Sequence, residues 1–151
     1  PTKSSSSSIK KFSNNDLSFS YPEAWIVNKY EITKDIVYQI SFKEDNEDIA
    51  YSILVQRFEN SPSQLLEISV SSLKESLNEA VFLEIKSSKY NNYSGLVQNF
   101  TYSELGYNFK GSVHTFNAEG KTFSILKAWD TDNRTELNKF LKIEDSFLIL
   151  E

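Results

Sequence analysis

The sequence contains no cysteine and only one histidine, His114. The lack of cysteine excludes disulfide bridges, metal sites with thiolate ligands and a cysteine nucleophile, but it leaves the redox compartment open. Any mechanism that depends on an imidazole has to use His114. The chain also lacks an apolar run long enough to cross a membrane, so we expect a globular protein.

Basic residues are outnumbered by acidic ones, 16 Lys and Arg against 21 Asp and Glu, which gives a formal net charge of −5. A nucleic-acid-binding protein would carry a basic patch or stripe. No cluster of Lys and Arg marks an anionic membrane surface either. We therefore expect no nucleic-acid partner. The length of 151 residues fits one domain with one core, which we place at residues 10–151.

The front of the chain, residues 1–10 (PTKSSSSSIK), contains five consecutive serines. Such a run cannot bury apolar surface, so we expect residues 1–9 to form a disordered tether. The tether would follow a removed export and lipid-attachment signal, as in bacterial envelope lipoproteins; a frayed end or a remnant of expression is the alternative. Because the first residue is Pro1, we expect a processed or truncated chain, with the lipidated cysteine upstream of it.

The segment Leu17–Trp25 (LSFSYPEAW) predicts a strand that ends in a turn. Leu17, Phe19 and Tyr21 alternate with serines, which is typical of a strand with one face on a core. Pro22 cannot donate to a sheet ladder, so the strand should stop there. The chain then predicts a second strand beginning at Trp25.

Most of the remaining chain shows strand patterns separated by short polar turns, including a charged turn at 43–48. Strands joined by short turns run antiparallel, so the first strands should form a meander. After the first strand, strands are predicted at 25–30, 36–42, 50–58, 80–86, 96–102, 107–116 and 121–129.

Two helices are predicted to cover this sheet. Ser61 is a suitable N-cap, Pro62 fits the first helical position, and Gln64 completes a capping box. The apolar residues that follow at helical spacing are Leu66, Val70, Leu73 and Leu77. They favour a helix packed on the sheet, with a partner-binding face as the alternative. A second helix is predicted from 134 to about 148. The fold class is therefore α+β, an antiparallel sheet flanked by helices in an α/β/α sandwich.

The segment Phe19–Trp25 (FSYPEAW) resembles the opening of the PsbP-like superfamily, a strand followed by YP, a small loop and W. Weaker similarity covers residues 10–150, and includes a turn with Asn91 and Gly95, a strand at 120–126 and a closing Ser146-Phe147. Members of the superfamily include a lumenal subunit of the plant oxygen-evolving complex, envelope lipoproteins of the DcrB type and a nuclear-import factor that binds the Ran GTPase. The resemblance implies an antiparallel sheet between helices and a role in binding or assembly. It assigns no functional residue, because these proteins share a fold and not a reaction.

Candidates for chemistry are few. His114 shares a strand face with Ser112, but a catalytic triad needs a serine on a strained turn, and no G-x-S-x-G is present. We therefore favour a structural histidine. The acidic segments 44–48 and 130–133 lack the ordered ligands and the glycine of a calcium loop, so they are interpreted as a solvated turn and a helix cap. We predict no catalytic residue, no metal and no cofactor.

A cluster of tyrosines supplies the candidate site for a partner. Tyr90, Tyr93, Tyr102 and Tyr107 lie around two predicted turns, and exposed rings there could bind a protein partner. We single out Tyr90 and Tyr93 for this role. Packing at the sheet edge is the favoured alternative.

The function expected from these observations is that of a non-enzymatic, extracytoplasmic binding or assembly module. It would be the soluble domain of a bacterial envelope lipoprotein, held at the membrane only by a lipid anchor outside this sequence, with a protein partner. Two alternatives remain. One is a small hydrolase that uses His114 or a carboxylate pair, and the other is an intracellular adaptor that binds a GTPase.

Overall fold

The computed structural model describes residues 8–151. Within them it has eleven strands and two helices, which confirms the predicted α+β class. The strands are β1 (Ile9–Ser13), β2 (Leu17–Pro22), β3 (Ile26–Thr33), β4 (Val37–Glu44), β5 (Glu47–Gln56), β6 (Val81–Phe82), β7 (Lys86–Tyr90), β8 (Tyr93–Glu104), β9 (Tyr107–Ala118), β10 (Lys121–Asp130) and β11 (Leu148–Ile149); the helices are α1 (Pro62–Ser76) and α2 (Thr135–Ser146). Of the predicted tether, residues 1–7 lie outside the described residues, and Ile9 already belongs to β1.

Eight strands form one antiparallel sheet in the order β3-β4-β5-β10-β9-β8-β6, with β7 also paired to β8. Three of its hairpins close with two-residue turns in which both residues have φ between 51° and 84°. Such left-handed turns match the right-handed twist of the strands. These turns are Asp45-Asn46, Leu105-Gly106 and Glu119-Gly120. The charged turn predicted at 43–48 is therefore shorter than expected, because β4 and β5 continue to Glu44 and Glu47.

A second, three-stranded sheet has the order β1-β2-β11. The prediction that the first strand would open the meander is therefore wrong, because β2 pairs with β1 and β11 and not with β3. The cause is the tight turn after Pro22, where the Trp25 N–H donates to the Pro22 carbonyl at 3.0 Å. The chain changes direction there and enters the large sheet.

The C-terminal helix ends earlier than the predicted position near 148. Helix α2 stops at Ser146, and Phe147 has the extended values φ −65° and ψ 125°. Leu148 and Ile149 then pair with Ser18 and Leu17 of β2. An extended conformation is favoured here because it satisfies the backbone groups on the free edge of β2.

The two helices cover opposite faces of the large sheet, as the sandwich prediction requires. Helix α2 and the small sheet enclose an aromatic core, in which the Trp25 ring lies 5.5 Å from Phe42 and 6.1 Å from Phe140. On the other face, Leu66 and Val70 of α1 pack with residues of β8 and β9. The predicted N-cap is confirmed, since the Gln64 N–H donates to Ser61 Oγ at 3.3 Å.

Helix α1 packs on β8, β9 and β10. Towards β3, the same side of the sheet presents apolar side chains to solvent: Tyr30 is 50% exposed, Ile32 is 56% exposed, and Ile68 on the flank of α1 is 61% exposed. The strand predicted at 80–86 is interrupted: Val81 and Phe82 pair with β8 as β6, and Lys86 pairs with β8 as the first residue of β7.

Candidate functional site

The structure places the two tyrosines predicted to bind a partner in or against the core. Tyr90 is only 1% exposed, stacks on Phe116 at 5.6 Å, and shares a hydrogen bond between its hydroxyl and that of Tyr51. Tyr93 is half-buried, and its hydroxyl accepts the Ile149 N–H at 2.8 Å. The buried ring of Tyr90 favours the packing alternative. Partner binding by this pair stays a prediction that substitution can test.

His114 is buried beside the Tyr90 ring, with the two ring centroids 5.5 Å apart. Burial, together with the nearby charge of Lys127, lowers the pKa of His114 to about 4. The imidazole is therefore neutral at physiological pH. Within residues 8–151 no hydrogen bond joins His114 to a serine or a carboxylate, and the Ser112 hydroxyl instead donates to Asn99 at 2.8 Å. The geometry favours a structural histidine.

A largely buried polar cluster, which the sequence did not predict, lies where α2 meets the large sheet. It consists of Tyr51, Tyr90, His114, Lys127 and Glu144, and Lys127 Nζ lies 3.4 Å from Glu144 Oε1. Burial raises the pKa of both tyrosines. Alternation along β9 and β10 could have indicated that His114 and Lys127 point inward, because the apolar Phe116, Phe123 and Ile125 share that face.

A second polar cluster connects the small sheet to the large one. Asp16 accepts hydrogen bonds from the Tyr38 hydroxyl at 2.6 Å and from Arg57 Nε at 3.0 Å, and Lys121 Nζ lies 3.0 Å from its other oxygen. Burial of Asp16 acts to raise its pKa, but the hydrogen bonds from Tyr38, Lys121 and Arg57 hold the pKa below its ordinary value. These contacts indicate a structural role.

A concave surface lined by acidic and aromatic side chains has a cavity volume of about 410 Å³, and we name it the acidic groove. It lies where the β4–β5 hairpin, the end of β10 and the first turns of α2 meet. Its lining residues are Glu44, Asp45, Glu47, Asp48, Ile49, Ala50, Tyr102, Phe109, Ala128, Trp129, Asp130, Glu136 and Phe140. Six of these are carboxylates and none is Lys or Arg, so the groove is strongly negative.

Few of these carboxylates have a cationic partner within the described residues. Lys139 Nζ lies 3.5 Å from Glu44, and Lys43 Nζ lies 3.9 Å from Asp48. Glu136 Oε2 is buried and has no hydrogen-bond partner in the described part of the chain. Burial raises the pKa of Glu136, as does the neighbouring Glu44, while Lys139 acts in the opposite direction. The groove therefore favours a cationic group, which could neutralise these carboxylates.

The aromatic lining of the groove adds a second kind of contact. Tyr102 and Phe109 stack with their centroids 4.9 Å apart, and Trp129 is only partly buried. Lysine and arginine side chains bind both carboxylates and the faces of aromatic rings. The sequence predicted a solvated turn at 44–48 and a helix cap at 130–133, and the fold brings the first segment and Asp130 of the second to this groove. Within residues 8–151, no group of three or more His, Asp or Glu side chains has the arrangement of a metal site.

Comparison with known proteins identifies the fold. No protein-family model and no curated protein sequence matches the chain. Among solved structures, it resembles cyanobacterial PsbP (CyanoP) from Synechocystis sp. PCC 6803, with a TM-score of 0.60 and 14% identity over 94% of this chain and 92% of that chain. The fold is PsbP-like. The resemblance inferred from the sequence is thereby confirmed.

Two further structures share the PsbP-like fold. LpqN, involved in cell envelope biogenesis of Mycobacterium tuberculosis, matches with a TM-score of 0.51 and 12% identity over 95% of this chain and 92% of that chain. A protein from Bacteroides thetaiotaomicron matches with a TM-score of 0.55 and 14% identity. The match covers 94% of this chain and 48% of that chain. Identities this low show the fold alone.

The segment that carries the sequence resemblance to the PsbP-like superfamily has a structural role. Pro22 ends β2, the turn at Glu23 and Ala24 reverses the chain, and the Trp25 side chain is 1% exposed beneath α2. Trp25 Nε1 donates to Glu44 Oε1 at 3.0 Å, which holds one carboxylate of the acidic groove. In the described residues, neither helix is long and apolar enough to span a membrane.

Proposed function

We propose that this chain is a non-enzymatic, extracytoplasmic binding or assembly module and the soluble domain of a lipid-anchored envelope protein. The observation that carries the proposal is the PsbP-like fold, shared over nearly the whole chain with CyanoP and with LpqN, a protein involved in cell envelope biogenesis. The buried, neutral His114 is consistent with a role that does not involve catalysis.

The partner in this proposal presents lysine or arginine side chains to the acidic groove. Charge complementarity supports this choice, since six carboxylates and several aromatic faces line the groove. An exposed acidic surface also suits the second candidate, an intracellular adaptor that binds a GTPase. The two candidates differ in compartment, so localisation distinguishes them.

The localisation test uses the complete gene product in its native host. We expect the protein in the membrane fraction, released by detergent and open to protease from outside the inner membrane. Replacement of a cysteine upstream of residue 1 by serine should release it from the membrane. Recovery in the cytosol of intact cells would rule out the envelope role and favour the adaptor.

The partner test uses crosslinking and capture from native membranes. The variant Asp130→Asn/Glu47→Gln removes two charges from the acidic groove, and we expect it to lose most of the captured partner. The matched control, Glu67→Gln/Glu75→Gln, removes two exposed charges from α1 and should capture normally. Capture should also weaken as salt rises, because exposed charges are screened. Equal capture by both variants would show that the groove is not the binding surface.

A further inference from the structure

Strand β3 forms one outer edge of the large sheet, and within residues 8–151 its only strand partner is β4. Its side chains are unusually open for a strand with apolar residues, since Ile26 is 58% exposed, Tyr30 50% and Ile32 56%. An unpaired strand edge offers backbone donors and acceptors to another strand. This edge is separate from the acidic groove.

Two opposite charges lie on the middle of β3. Lys29 and Glu31 are two residues apart and therefore point to the same face of the sheet. Both side chains are exposed, Lys29 Nζ lies 4.6 Å over the Tyr38 ring, and neither residue forms an ion pair with another described residue. Charges on an edge strand normally oppose pairing with arbitrary strands. Here their order determines which strand the edge can accept.

Symmetry restricts the ways in which two copies of β3 can pair. A two-fold axis perpendicular to the sheet relates antiparallel strands, and directly opposite side chains lie on the same face. Because faces alternate with period two, the axis must pass through a residue position and not between two residues. The axis therefore passes through one residue, which we call the centre of the pairing. In the regular part of β3, the candidate centres near the middle of the strand are Asn28, Lys29, Tyr30 and Glu31.

Only one of these registers pairs the opposite charges. A centre at Lys29 or at Glu31 places like charges directly opposite each other. A centre at Asn28 leaves Lys29 opposite Val27. A centre at Tyr30 places Lys29 of each copy opposite Glu31 of the other, which gives two ion pairs on one face. On the other face, the two Tyr30 rings then meet at the axis.

We propose that the open edge of β3 binds the same edge of a second copy of this chain, antiparallel and centred on Tyr30. The regular ladder between β3 and β4 runs from Ile26 to Glu31, so both charged residues lie in undistorted strand. The bulge that follows Glu31 limits the length of the contact. A short contact of this kind does not allow the edge to pair with arbitrary strands, as a long flat edge would. Pairing covers Tyr30 and joins the two large sheets into one.

The test is sedimentation equilibrium of the full 151-residue chain at concentrations from about 1 to 500 μM. This range also detects a weak dimer, with a dissociation constant of hundreds of micromolar. The wild type should form a dimer. Lys29→Glu places Glu opposite Glu twice, and Glu31→Lys places Lys opposite Lys twice. Each should weaken the dimer about tenfold or more. The double variant Lys29→Glu/Glu31→Lys restores both ion pairs with their signs reversed and should dimerise like the wild type.

Two controls accompany these variants. Lys10→Glu makes the same change in net charge as Lys29→Glu at an exposed residue of β1 and should leave the dimer unchanged. Circular dichroism melting confirms that every variant folds. A wild type that stays monomeric throughout the concentration range overturns the proposal. Unchanged dimer dissociation constants for Lys29→Glu and Glu31→Lys also overturn it. A double variant that remains monomeric also overturns it, because the register would then be wrong.

Discussion

Single buried polar residues determine how this protein should respond to pH and to substitution. His114, Tyr90 and Asp16 are each less than a tenth exposed, yet each carries a group that water would solvate well. Asp16 and Tyr90 are tolerated in the interior because neighbouring side chains form hydrogen bonds with them. His114 is tolerated there because its imidazole is neutral. Sequence reasoning located His114 on a strand but could not determine which groups would face it.

His114 should make the protein less stable as the pH falls from 7 towards 4. The folded pKa is lowered to about 4 from an ordinary 6.5, so between these values the unfolded state binds more protons. The corresponding loss in the free energy of unfolding is about 3 kcal/mol at pH 4. Urea unfolding at several pH values measures it, with His114→Gln as the comparison. Parallel pH profiles for the two proteins would contradict the expected burial of the neutral ring.

Substitution of the candidate tyrosines separates packing from partner binding. Tyr90→Ala should lower the free energy of unfolding by about 3–5 kcal/mol, because it leaves a large cavity beside Phe116 and Phe147. Tyr93→Ala should cost less, since its ring is partly exposed. Thermal melting and capture from native membranes are measured together. Loss of capture at unchanged melting temperature would support the partner-binding hypothesis instead.

At the scale of single elements, the period of the apolar pattern located most strands and the capping residues located the start of α1. Both signals are local: alternation reports a half-buried strand, and Ser61 satisfies backbone groups three residues away. Element ends were less well predicted. The strands of the hairpins extend beyond the predicted ends into polar residues, because backbone hydrogen bonds continue where the side chains are exposed to solvent.

The close approach of β8 and β9 makes Gly95 a specific requirement. A Cβ atom there would lie 2.0 Å from the Thr115 carbonyl oxygen, and backbone cannot move aside as a side chain can. Gly95→Ala should therefore cost more than about 3 kcal/mol in the free energy of unfolding. Gly106→Ala is the control: no atom lies within 4 Å of the new Cβ, so only the strain of its φ of +84° remains, about 1 kcal/mol. Equal losses in urea unfolding would refute the steric explanation.

At the scale of the whole molecule, stability depends on contacts between the two sheets. Asp16 lies between β1 and β2, and its carboxylate meets Tyr38 of the large sheet, Arg57 after β5 and Lys121 of β10. The Leu150 N–H also donates to the Asp16 carbonyl at 2.8 Å, so the chain end is held at the same place. This cluster joins segments from the beginning, the middle and the end of the sequence.

Asp16→Asn should lower the free energy of unfolding by about 3–5 kcal/mol, because two cationic groups lose their buried counter-charge. The folded pKa of Asp16 is lowered, so its contribution is complete at neutral pH and is lost as the pH falls through the folded pKa. The variant should therefore show less additional acid destabilisation below pH 4. Asp48→Asn is the control, since its carboxylate is 89% exposed and should contribute almost nothing. Similar losses for both variants would contradict the role of the cluster.

The sequence by itself determined the α+β class, most strand positions, the cap of α1 and, through FSYPEAW, the PsbP-like fold. The first three follow from alternation, turn chemistry and capping, which act between residues close together in the chain, whereas the fold was implied by the resemblance to a known superfamily. Only the tertiary structure decided that β2 belongs to a separate sheet, that Tyr90 is buried, and that the acidic β4–β5 turn and Asp130 at the end of β10 meet in one groove. Each of these depends on residues far apart in sequence that pack together, and no local pattern carries that information.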